Sequence, residues 1–118
     1  MRPYALPDLF AGKLHAVLCR KWKTRVKGRD WYDLAWYAGR RTPVHLSHLE
    51  SRMRQSGDYT ATSPLAPESL VGMLHDAAAS LDVIQARKEV ERFLTDRRTV
   101  ETWSNDFFHH IADRILIA

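Results

Sequence analysis

Apolar residues in this chain recur every three or four positions, in short segments parted by Gly, Pro and Asp, and almost nowhere do they alternate. That period is one face of an α-helix, whereas a half-buried strand needs alternation. It predicts an all-α fold, a compact bundle of about five or six helices with a short extended lead-in at the N-terminus. A length of 118 residues suits one domain. With 45% hydrophobic residues, four of them Trp, it can bury a core.

The punctuation places the segments. Pro3 and Pro7 push their preceding residues out of helical geometry, so Met1 to Leu6 reads as extended. Asp8 is the expected cap of a first helix to Lys23, with Leu14, Val17, Leu18 and Trp22 as its buried stripe. A basic connector broken at Gly28 leads to a second helix, Arg29 to Ala38, stopped by Gly39. On it Trp31, Leu34, Ala35 and Ala38 predict the core face, with Trp36 also read as core; Asp30, Asp33 and Tyr37 share another face. Tyr37 is the aromatic best placed there to stack on a base.

A third helix spans Leu46 to Gln55, with Ser47 as its cap and Leu49 and Met53 inward. Residues 56 to 64 (SGDYTATSP) are turn-rich. Pro67 opens a fourth helix through Leu81, and Asp82 caps a fifth from Val83 to Leu94 with Ile84, Val90, Phe93 and Leu94 as its stripe. The last helix, Thr102 to Leu116, carries Trp103, Phe107, Ile111 and Ile115 at intervals of four.

Composition excludes several classes. No apolar run approaches the roughly 18 residues that span a bilayer, and residues 1–13 have no signal-peptide core, so the expected location is cytoplasmic with no membrane partner. Cys19 is the single cysteine and forms no internal disulfide. His15 lies four residues before it and shares its helical face, but two ligands do not make a metal site. His45 with His48, and His109 with His110, lack a third ligand at binding spacing and read as surface or satisfied core groups. The chain alone therefore calls for no metal.

Charge is uneven. Residues 1–60 carry twelve Lys/Arg against five Asp/Glu, and residues 61–118 carry six against nine. Arg20, Lys21, Lys23, Arg25, Lys27 and Arg29 crowd together from the end of the first helix to the start of the second. Such a focused field favours phosphates or nucleic acid; a solvated helix end is the plain alternative.

Two pieces flank that patch: KLHAVLCR (Lys13 to Arg20) and KGRDWYDL (Lys27 to Leu34). As an antiparallel helix pair they would bring Lys13 or Arg20 towards Asp30 and Asp33. The cations can hold a triphosphate while a carboxylate deprotonates an attacking hydroxyl. The ordinary alternative is an interhelix salt-bridge network with Asp30 near a helix N-terminus, where negative charge is favoured anyway.

The run PDLFAGKLHAVLCR followed by KGRDWYDLAWY resembles the two C-terminal motifs of the AbiEii family, toxins of type IV toxin–antitoxin systems that pair a nucleotidyltransferase domain with a helical C-terminal one. The later motif, Arg-x-Lys-Asp-x-x-Asp-Leu, is matched in register by Lys27 to Leu34, with Lys and Arg exchanged at the basic positions. Lys13 and Arg20 match the ends of the earlier motif, with Val17 in place of its Thr. The resemblance implies Asp30 as catalytic base, aided by Asp33 and Lys13, with Lys13, Arg20, Lys27 and Arg29 as phosphate contacts.

The family's Gly-Ser…Asp-x-Asp motif occurs nowhere in the chain. The resemblance thus implies a single helical domain, the C-terminal part of a nucleotidyltransferase, inactive by itself. Mg2+ is the cofactor implied for the complete enzyme. A nucleoside triphosphate, RNA (the acceptor end of a transfer RNA) and a cognate antitoxin are the implied partners. The other reading is a non-enzymatic helical module that binds nucleic acid or a protein through residues 20–29.

Overall fold

The computed structural model describes residues 6–19 and 28–117. Of the expected extended segment Met1 to Leu6, residues 1–5 lie outside them and Leu6 is helical instead; Arg20, Trp22 and the connector through Lys27 also lie outside. Within them the fold is all-α. Helix α1 spans Leu6–Cys19, α2 Gly28–Gly39, α3 Leu46–Gln55, α4 Pro67–Ser80, α5 Val83–Glu91 and α6 Asn105–Asp113, with one 3-10 turn at Arg97–Val100.

Helix α1 is the hub. It packs against α2, α3 and α4, while α4 also covers α6 and α2 lies on α5. An element covered on several sides buries more than one stripe, and this moves the core of α1 from its predicted place. Phe10, Ala11 and Leu14 are fully buried, whereas Val17 and Leu18 are only partly so. Asp8 does not cap the helix, which begins two residues earlier at Leu6; it stands in the first turn and pairs with the His45 ring.

Helix α2 follows the predicted boundaries to within a residue. Trp31 and Leu34 are buried, with Ala35 and Ala38 partly so. Gly39 is its last residue, but the left-handed position beyond it falls to Arg41. The Thr42 N–H donates to Tyr37 O and the Arg41 N–H to Ala38 O, with Arg41 at φ 57°. That is a Schellman motif with arginine in the left-handed position usually filled by glycine. Trp36 is exposed rather than core, with the Arg40 guanidinium 4.7 Å from its ring centroid.

Helix α3 is preceded by His45 in extended conformation, not capped by Ser47; the Ser47 hydroxyl bonds the His45 ring instead. Its C-terminus is a second Schellman motif. Asp58 N–H donates to Met53 O, Gly57 N–H to Arg54 O, and Gly57 sits at φ 80°. Asp82 caps α5 by accepting from Gln85 N–H, as its position predicts. Helix α5 nevertheless ends at Glu91, and its stripe is Ala86 and Val90; Ile84 and Phe93 are exposed at 68% and 64%.

Helix α6 is shorter than predicted, and its buried face is displaced by one position. Ser104 caps it through Phe107 N–H, and Phe108 and Ala112 fill the core while Phe107, Ile111 and Ile115 are half-buried. Trp103 is buried just before the helix, edge-on to Phe108, which also meets Trp31. His109 is tied to His75 of α4, whose other ring nitrogen meets Asp113. An isolated parallel bridge between Val44 and Ile117 fastens the end of the described chain beside the α2–α3 connection.

Candidate functional site

Position 28 fixes how closely α2 can approach α5. Its α-carbon lies so close to α5 that a β-carbon there would fall 2.3 Å from Ala86 O and 2.8 Å from Val90 Cγ2. Only glycine allows that approach. The Gly28 N–H, one of the unpaired donors at a helix start, donates to Glu89 Oε2 at 3.2 Å. The first turn of α2, Gly28 to Trp31, is thus seated on α5, and α2 also packs along α1.

Across that seam Lys13 Nζ of α1 lies 2.8 Å from Asp33 Oδ2 of α2. Both side chains are partly exposed, at 41% and 31%. The approach of Lys13 to the acid pair predicted from the antiparallel arrangement is present, and Asp33 is the acid it reaches. Asp30 is buried at 9% exposure, inside the first turn of the helix. Arg29 is exposed beside it, its guanidinium 5.7 Å from the ring centroid of Phe93. Arg92 approaches the same ring at 5.7 Å. Arg20 and Lys27 lie outside the described residues.

Tyr37 is not available for stacking on a base. Its ring lies parallel to that of Phe10, centroids 5.1 Å apart, and is half-buried against the core. Phe93 is the exposed aromatic beside the motif, and sequence reasoning missed it by assigning it to a buried stripe. A signal was present: Arg92 precedes it, and the core of a short helix is met by Ala86 and Val90 alone.

The acid pair does not fit a magnesium ion. Asp33 is neutralised by Lys13, and among the described residues neither Asp30 nor Asp33 belongs to a cluster of three metal-ligating side chains. Mg2+ needs several oxygens in near-octahedral array. A cleft of about 530 Å3 lined by Arg41, Thr42 and Arg114 lies at the C-terminal end of α2, away from this motif.

The match to known families covers nearly all of this architecture. A family model described as nucleotidyl transferase AbiEii toxin, type IV toxin–antitoxin system, matches residues 1–113. The chain belongs to the AbiEii family. No curated protein and no solved structure matched the chain. Membership of a type IV toxin–antitoxin family implies a cognate antitoxin as partner. No helix among the described residues is long and apolar enough to cross a membrane.

In this AbiEii chain, the resembling motif stretches that fall within the described residues lie on α1 and α2, which pack together. Lys13 and Asp33 pair across α1 and α2, while Arg29 and Asp30 stand in the first turn of α2, which lies on α5.

Proposed function

We propose that this chain supplies the phosphate-binding and proton-accepting side of an AbiEii nucleotidyltransferase, and that it is inactive without the domain that brings the metal-binding carboxylates. The observation that carries the reading is the Lys13–Asp33 pair. It joins the two motif helices and leaves a cation and a carboxylate partly open to solvent on one face.

In this reading Lys13 and Arg29, with Arg20 and Lys27 from the connector, bind the triphosphate and the RNA backbone. Asp30 accepts the proton of the acceptor hydroxyl, whose oxygen then attacks the α-phosphorus as pyrophosphate leaves. Asp33 holds Lys13 in place. Fixed cations around a transferring phosphoryl group are the largest protein contribution to such chemistry. Magnesium, which carboxylates other than Asp30 and Asp33 would hold, would supply neutralisation of charge on the departing phosphates. Transfer RNA acceptor ends are the acceptors the reading favours.

One observation favours the rival, a non-enzymatic module: Asp30 is buried, as a structural acid at a helix start would be. A phosphate surface has no use for two carboxylates in its middle, however, and Asp30 and Asp33 both follow Arg29 on one helix. Binding is tested with a nucleoside triphosphate and with single-stranded RNA across a salt series. Affinity should fall steeply with salt, and reversing Lys27 and Arg29 to Glu should abolish it. Binding that survives this reversal would reduce the basic connector to a solvated loop.

A further inference from the structure

Two residues of α1 take no part in the phosphate contacts proposed above. His15 and Cys19, four apart, share a helical face. The fold brings a third ligand to them: a nitrogen of His15, the sulfur of Cys19 and an oxygen of Asp58 all lie within 4.8 Å of one another. Asp58 comes from the turn after α3, and that turn is built to hold it. The Schellman motif with Gly57 at φ 80° fixes the Asp58 N–H on Met53 O at 2.8 Å. Ser56 Oγ lies 3.0 Å from His15 Nε2 and also meets Asp58 Oδ2, so one hydroxyl ties imidazole and carboxylate together.

We propose that His15, Cys19 and Asp58 form a zinc site, independent of the phosphate surface. A thiolate with an imidazole selects a borderline-soft cation over Mg2+ or Ca2+, which take oxygen ligands. Three protein ligands leave a fourth tetrahedral position for water. Binding releases the Cys19 thiol proton to solvent. Ser56 then acts from outside the ligand shell, orienting His15 or Asp58. The ion fastens the last turn of α1, directly before the basic connector, to the loop that follows α3. A second cluster, Asp8 with His45 and His48, is weaker, since it offers no thiolate.

The test is a titration of the full chain with Co2+ under reducing conditions, followed by displacement with Zn2+. The account predicts one ion per chain, an intense tetrahedral spectrum, and a near-ultraviolet thiolate-to-cobalt band that Zn2+ removes. Cys19→Ser should erase that band. Asp58→Asn should weaken Co2+ binding at least about tenfold. Asp58 is exposed and its turn is held by backbone bonds, so circular dichroism should show this variant folded. Should Cys19→Ser fail to fold, Asp58→Asn decides alone. Absence of the thiolate band, a band indifferent to Asp58→Asn, or one ion per two chains would each overturn the proposal. A weak spectrum that survives Cys19→Ser would place the ion at Asp8, His45 and His48, and would overturn it too.

Discussion

Lys13 Nζ lies 2.8 Å from Asp33 Oδ2, so a single ion pair ties together the two helices that carry the family motifs. Partly exposed pairs of this kind stabilise a fold by only about 0.2–1 kcal/mol. Its main consequence is for binding. Lys13→Ala should lower the melting temperature little, weaken triphosphate binding, and reduce the salt slope by about one. Asp33→Asn frees the ammonium and should tighten the same binding. Calorimetric titration of both variants checks this; two changes in the same direction would mean that Lys13 serves only to hold Asp33.

The two helix-end positions with special backbone demands should respond in opposite directions. Gly28→Ala forces a β-carbon onto Ala86 O and Val90 Cγ2 and should destabilise by about 1–3 kcal/mol. Arg41→Gly relieves a left-handed residue at φ 57° and should stabilise by up to about 1 kcal/mol. Urea unfolding of both variants measures the pair.

Much of this was legible in the sequence, and the misses share a cause. Helix α2 was read closely because Gly28 and Pro43 bracket a strong period and because Trp31 and Leu34 face the core. Ile84, Phe93 and Trp36 were misplaced because hydrophobicity does not say how closely helices approach. Where Gly28 lets α2 lie against α5, Ala86 and Val90 are large enough to fill the seam, and Phe93 is left outside. In α6 the run Phe107–Phe108 made two neighbouring stripes equally plausible, and packing on Trp31 and Trp103 selected Phe108. The approach of Lys13 to the acid pair followed from spacing alone. The third neighbour of His15 and Cys19 did not, since it depends on the turn at Gly57.

Stability should depend on pH through Glu50. The Leu65 N–H donates to Glu50 Oε1 at 2.8 Å and Arg54 Nε to Oε2 at 2.9 Å, fastening the loop before α4 to α3. These bonds, the backbone one first, hold its carboxyl below the ordinary value of 4.5. A depressed folded-state pKa adds stability that is complete above the unfolded value and is lost as pH falls through the folded one. Glu50→Gln should therefore melt lower than the parent at neutral pH and converge with it in acid. Melting curves from neutral pH to below the ordinary carboxylate range check this, and a constant gap would remove Glu50 from the acid response.

Asp30 carries the central claim, because structure and catalysis make opposite demands on it. It is buried in the first turn of α2, where an acid can serve stability alone, yet it is the residue proposed to accept the proton. The decisive measurement takes Asp30→Asn in this chain joined to a nucleotidyltransferase domain of the family, and records melting temperature and nucleotide-transfer rate together. The account predicts a near-unchanged melting temperature and a transfer rate lowered at least about a hundredfold, the scale for loss of a general base. A destabilised enzyme that still transfers nucleotides at close to the parent rate would contradict it.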